Sequence, residues 1–353
     1  MRTKRKRWLV AGVLALCLTA MLLWLAGVRL EHIRFLLLSL SEPAELFREQ
    51  TVELHAWLRE NAVHLQTIAA GSGFDDMQPL KAVIGDARIV ALGEAAHSNR
   101  EFIQAKHRMV EFLVNEMGFR VVAIEAPFAG ALELNDYIVT GSGTPEQALA
   151  ALVYPAWRTE EVLDMVKWMR RYNATHEEKV RFYGFDNKPA TRSAKAVSDY
   201  LRRTNGTRDY DQLLSALTTQ AITLRTWKGP SKELRDTAGQ VRSLIAYLEK
   251  QRPASARPSS GQELRDWNQW RLAVQHARVL LQNVEFLSAP SLSKASDLRD
   301  KSMARNVSWL AEYEEGAKII LWAANPHITT TVLPWAYDAV LFIESTTNAR
   351  PVR

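Results

Sequence analysis

The chain has 353 residues, 47% of them hydrophobic and 24% charged, a composition with ample core material that excludes a disordered protein. Its formal charge of +6 is concentrated at one end, because Arg2, Lys4, Arg5, Lys6 and Arg7 supply five of the charges; the remainder carries no bias toward nucleic acid or another polyanion. The only cysteine is Cys17, so the rest of the chain has no disulfide, no thiol nucleophile and no cysteine metal ligand.

The basic flank, residues 1–7, runs into WLVAGVLALCLTAMLLWLAGV, Trp8 to Val28, without a single charge. As a helix this stretch is roughly 31 Å long, enough to cross a bilayer core. The positive-inside rule keeps the basic flank in the cytoplasm. The expected arrangement is a single-pass anchor in the inner membrane with the main domain extracytoplasmic. A cleaved signal peptide and a periplasmic protein are the alternative, although an apolar run that continues to Trp24 is long for one. Leu16, immediately before Cys17, argues against lipid attachment at that cysteine.

Residues 29–77 are expected to be a helical linker, with apolar residues at helical spacing from 43 to 70; His55 and His64 belong to helix surface or core there. Next, ARIVALG (87–93) predicts a strand followed by a helix to about Met117. RVVAIEA (120–126) predicts a second strand and a helix from near Ala129. After the Gly-rich 140–145, two helical stretches reach about Ala174, and VRFYGFD (180–186) and KIILWAAN (318–325) read as third and fourth strands. YDAVLFIEST (337–346) offers a fifth. The alternation predicts an α/β fold, a largely parallel sheet flanked by helices, with its core in 78–190 and 311–353. Residues 191–310 read as a helical insertion or cap, broken by KGPS and by RPASARPSSGQE, the latter a mobile loop by composition.

Each expected strand delivers an acid or a histidine at or just past its C-terminal end: Glu94 and His97, Glu125, Asp186, and His327. In parallel α/β sheets the ligand crevice lies at that edge, so residues distant in sequence converge there. Any one acid has an equally good reading as a helix cap or a structural ion pair. Together they supply the carboxylates and imidazoles of general acid–base chemistry near neutral pH. A Glu–His pair three apart across a strand-to-helix turn suits a carboxylate orienting an imidazole that takes a proton from water. Two histidines with two or three carboxylates also make a workable shell for Mn, Fe or Zn, an alternative left open beside the favoured absence of a cofactor. There is no G-x-S-x-G elbow, no H-E-x-x-H zinc helix and no G-x-x-x-x-G-K-[ST] phosphate loop. Trp157, Trp168, Trp309 and Trp322 read as core, and His107, His176 and His276 as surface or satisfied core.

The segment IGDARIVALGEAAHSNREFIQAKHRMVEFLVNEMGFRVVAIEAPFAGALELNDYIVTG resembles the erythromycin esterase family, as do WRTEEVLDMVKWMRRYN, VRFYGFD, RDKSMARNVSWL and YDAVLFIESTTNARPV, all in the family's order. The resemblance implies hydrolysis of an ester or lactone, macrolide-like, with His97 as the base on water, Glu94 as its acidic neighbour, Glu125 as a further site acid and His327 as the second histidine of an H-N-x-H-like motif. The chain also departs from the family. Ala324 stands where that motif has its first histidine, and Lys106 stands where characterised esterases have arginine. The segment between the motif and YDA is reduced to ITTTVLPWA. Lys106, Arg100 and Asp186 are the expected substrate-binding residues, with Arg100 or Arg108 able to compensate for the arginine fork that Lys106 lacks. A catalytically degenerate member that binds a ligand or a partner at the membrane is the competing expectation.

Overall fold

Four apolar runs pair into a parallel sheet of order β1-β4-β2-β3: β1 (Ile89–Glu94), β2 (Phe119–Pro127), β3 (Arg181–Asp186) and β4 (Lys318–Ala324). The computed structural model describes residues 56, 60, 62–219, 227–253, 258, 260–328, 338–341, 343 and 345–352. Residues 65–353 form one compact unit. The expected anchor at 8–28 lies outside the described residues, as does most of the helix expected in 43–70, whose described end at 62–70 is irregular. Among the described residues no helix is long and apolar enough to cross a membrane.

The helices follow from the parallel pairing, since each crossover must carry the chain back along the sheet. They are α1 (Leu80–Ile84), α2 (Arg100–Met117), α3 (Phe128–Thr140), α4 (Pro145–Ala150), α5 (Glu160–Thr175), α6 (Thr191–Arg203), α7 (Asp211–Thr219), α8 (Lys232–Lys250), α9 (Gly261–Leu287) and α10 (Leu292–Tyr313). Alternate strand residues serve opposite faces. Val121, Ala123, Tyr183, Phe185, Ile319 and Ala323 pack under α6 to α10, whereas Val122, Ile124, Phe182, Ile320 and Trp322 pack with α2 and α5. The five helices from 191 to 313 therefore build one of the sheet's two cores.

Two glycines set how closely the strand ends approach. A Cβ on Gly184 would sit 2.4 Å from the carbonyl oxygen of Ala126 and 2.7 Å from that of Pro127. Both are backbone atoms that cannot turn aside, and they lie where β2 breaks register between Ile124 and Pro127. The irregularity sends Glu125 out of the regular ladder, and only glycine on β3 tolerates it. A Cβ on Gly93 would meet the Asn325 side chain at 2.3 Å, so the short turn Asn325–His327 can lie against the end of β1.

The expected fifth strand is not formed in the described residues. Residues 338–341, 343 and 345–347 are irregular and join no sheet. The neighbouring tail instead makes two isolated bridges, Asn99 with Asn348 and Thr159 with Pro351. Its apolar, β-prone sequence expresses a local preference, and strand formation also needs an edge in reach and in register. The tail clasps two loops at the sheet's C-terminal edge. Arg100 N donates to Thr347 O, Ala349 N to Ser98 O, Glu160 N to Arg350 O and Val352 N to Arg158 O, at 2.7 to 3.0 Å.

Candidate active site

Glu94 ends β1 with its side chain 3% exposed, and three short bonds hold it. Lys106 Nζ and Trp322 Nε1 each donate to Oε2 at 2.9 Å, and His97 Nδ1 lies 2.5 Å from Oε1. An ionised carboxylate only accepts, so Nδ1 must carry the hydrogen and Nε2 is the basic nitrogen. His97 stands in the loop after β1, its side chain 38% exposed, with Nε2 3.8 Å from Glu125 Oε2. Its ring meets Trp157 edge-on, and Trp157 in turn meets Trp322. The adjoining Ser98 has φ +63°, a left-handed conformation that a non-glycine residue adopts at a cost, here supported by the clasp from Ala349.

Charge tuning follows from these contacts. The bond to Glu94 raises the His97 pKa above its ordinary value, against the opposing effect of burial. Burial would raise Glu94, but His97 and Lys106 outweigh it and hold the carboxyl below its usual range. Burial pushes Lys106 down to about 8 despite the pull of Glu94. A base must be neutral to take a proton, so activity is expected to fall as pH drops through the raised His97 pKa. Glu94→Gln removes the charge that raises it. The acid limb of kcat/KM should then move to lower pH, and the plateau should drop by about tenfold as the base weakens. An unmoved limb would separate Glu94 from His97 in function.

A second cluster adjoins the first. Arg299, on α10, donates from Nη2 to Glu125 Oε1 at 2.6 Å and to Asp186 Oδ2 at 2.7 Å, and from Nε to Asp186 Oδ1 at 3.1 Å. Its Nη1 donates to His327 Nε2 at 3.0 Å, while His327 Nδ1 donates to Asp300 Oδ1 at 2.7 Å. His327 Nε2 also lies 3.3 Å from Glu125 Oε1, so both ring nitrogens are engaged. Glu125 also accepts the Ala324 backbone N–H at 3.1 Å, so position 324 contributes a backbone donor in place of a ring. Burial works to raise Glu125, yet His327 and Arg299 hold it at about 2. The His327 pKa is raised, first by its contact with Glu125.

Glu94, His97, Glu125, Asp186 and His327 therefore meet at one edge, as their strand-end positions predict. Lys106 lies there as well, but it is buried, with its ammonium bound to Glu94 and 4.7 Å over the Trp322 ring. Arg100 has its Nε 3.5 Å from Glu161, and Arg108 is bound to Asp76. Trp157 and Trp322 are core residues as expected, yet they also border the site. Sequence reasoning missed Arg299 and Asp300. The signal lay in RDKSMARN: Arg299 and Asn306 are seven apart on one helix face, and the buried Asn306 donates to Phe185 O at the end of β3. Among the described residues no group of three or more histidine, cysteine or acidic side chains is disposed to hold a metal.

A family profile described as erythromycin esterase matches residues 114–333, a span that includes Glu125, Asp186, Arg299 and His327. The chain is 26% identical over 325 residues to erythromycin esterase type II of Escherichia coli, covering 81% of this chain and 70% of that one. It is also 26% identical over 293 residues to the putative hydrolase YbfO of Bacillus subtilis, covering 77% and 63%. Among solved structures, a succinoglycan biosynthesis protein superposes with a TM-score of 0.65 at 28% identity, covering 78% of this chain and 66% of that one. The chain spans about two thirds of the length of these relatives.

Proposed function

The chain belongs to the erythromycin esterase family, and from that premise we propose that it is a hydrolase in which His97 Nε2 takes a proton from water as the water attacks the carbonyl of an ester or lactone. The observation that carries this reading is the His97–Glu94 pair, with Nδ1 fixed by a buried carboxylate and Nε2 3.8 Å from Glu125 on a side chain that is 38% exposed. The nearby Glu125 carboxylate favours the imidazolium formed after proton transfer. Arg299 brings positive charge within reach of a developing oxyanion while it fixes Glu125 and Asp186.

The full chain, incubated with a panel of macrolides and simple lactones, is expected to give products heavier by one water, with and without a chelator because the reading needs no metal. A folded chain that gives no product from any of them would sink it. Activity lost to the chelator and restored by Mn, Fe or Zn would replace it with a metal-assisted route. One feature favours the second reading, a binding protein without turnover: position 324 carries a methyl group and His327 has both nitrogens occupied. Ligand-induced thermal stabilisation without product would support that reading.

We further propose that Trp8 to Val28 anchors the protein in the inner membrane with the catalytic unit extracytoplasmic, on the charge asymmetry of that stretch. Extraction of the intact chain from membranes by alkaline carbonate would count against an anchor.

A further inference from the structure

A cavity of about 630 Å³ runs along α2 and α5, a size usual for a small-molecule site. Glu94, His97, Glu125, Asp186 and His327 do not line it. Gln104, His107, Glu111 and Asn115 recur every three or four residues, so α2 presents them on one face. Glu161, Asp164, Trp168 and Arg171 do the same on α5. The His107 and Trp168 rings meet edge-on between the two helices, their centroids 6.0 Å apart, and the loop carrying Gly71 and Phe74 forms a further wall.

The fold leaves much of the bonding capacity of this lining unspent. The side chains of Gln104, Asp164 and Arg171 make no hydrogen bond or ion pair among the described residues. His107 is buried, and its Nε2 has no hydrogen-bond partner although Glu111 Oε1 lies 3.4 Å away. Glu111 spends Oε2 on the Gly71 N–H at 2.6 Å, which leaves Oε1. Buried polar atoms normally find partners, so an orphaned nitrogen on a cavity wall marks a place where a bound group supplies one.

Charge selects the kind of group. Arg350 is spent on Glu160 and Glu161. Burial, with the Arg171 charge, pushes His107 down to about 4, so its ring is neutral at neutral pH. The charged groups left are Asp164, Arg171 and Glu111, whose carboxyl burial raises above its usual range. An anion would meet two acids there, and a cation would meet Arg171. Uncharged hydroxyls suit all of them, since each hydroxyl both donates and accepts. Carboxylate, amide and guanidinium are planar groups whose paired atoms grip two adjacent hydroxyls. Trp168 and Phe74 add apolar wall for the C–H surface of a ring.

We propose that the cavity between α2 and α5 is a second binding site, for a neutral saccharide, separate from the hydrolytic edge. Asp164, Glu111 Oε1 and the Gln104 carbonyl accept from its hydroxyls, Arg171 donates to them, and His107 Nε2 gains the partner it lacks. The assignment does not depend on the hydrolase reading.

The test titrates the full chain with maltotriose, cellotriose and triacetylchitotriose, followed by calorimetry and saturation-transfer NMR. At least one of the three is expected to bind with a Kd of about 1 mM or below. Asp164→Ala and Arg171→Ala, both at exposed positions, should each weaken that binding by about tenfold. His97→Ala should bind the sugar as the wild-type chain does. No binding of any of the three, loss of binding in His97→Ala, or binding indifferent to both α5 changes would each overturn the assignment. Tighter binding of trigalacturonate or of trialanine would overturn it too, by making the cavity an anion or a peptide site.

Discussion

Replacing His97 with alanine is expected to lower kcat/KM of the full chain by about 10²–10⁴-fold, the usual contribution of a positioned general base. That corresponds to roughly 3–5 kcal/mol of lost transition-state stabilisation. The loss should fall on kcat, because His97 acts on water. The fold should tolerate the change. Glu94 keeps Lys106 and Trp322, and the vacated ring position opens to solvent, where water can take up Oε1. Rates and melting temperatures measured side by side separate a catalytic loss from a folding defect, and equal rates in the two proteins would remove His97 from the mechanism.

Arg299→Ala should act on stability as much as on rate. Arg299 is only 14% exposed and is shared by two carboxylates that are themselves almost wholly buried, Glu125 and Asp186. Breaking a buried pair by removing one partner leaves uncompensated charge, which typically costs about 3–5 kcal/mol. The pH dependence gives a signature. In the wild-type protein Glu125 is depressed to about 2, so its contribution is fully present above the ordinary carboxyl range and is lost as pH falls toward 2. Without Arg299 the opposing effect of burial gains weight and the Glu125 pKa rises. The variant's deficit should therefore be largest near neutral pH and shrink as acid protonates the carboxyl. Denaturant unfolding at neutral and mildly acidic pH measures this, and a deficit that is absent, or that grows in acid, would show that the cluster does not carry the fold.

How much of this was legible in the sequence depends on which interactions place each residue. Glu94, Glu125, Asp186 and His327 were readable because a parallel sheet gathers every strand's C-terminal end at one edge, whatever the distance along the chain. His97 was readable because it follows such an end by three residues. Arg299 and Asp300 were not, since nothing local distinguishes an Arg-Asp pair on a polar helix. Their position is set by the packing of α10 across β3, through Asn306 and its partners Gln275 and Gln282. Arg100 was misplaced because nearness to His97 in sequence says nothing of direction. It opens α2 and turns toward Glu161 on α5. Lys106 was placed in the right neighbourhood and given the wrong partner, because burial on α2 directs its charge to Glu94. The stretch 337–346 has the composition of a strand, but its described residues run irregularly into the clasp over the His97 loop.

That clasp bears on the order in which the protein is made. The loop carrying His97 is held by Thr346, Thr347 and Ala349, and the bond from Asn99 to Thr346 joins positions 247 residues apart. During synthesis the strands β1, β2 and β3 and most of the helices have left the ribosome well before the residues that seat His97 exist. Contacts of such long range are closed late, after the shorter ones have offset the entropy of loop closure. A nascent chain therefore lacks both β4, which joins β1 to β2 in the sheet, and the tail that seats the His97 loop, and competence for chemistry arrives only with these last-made residues.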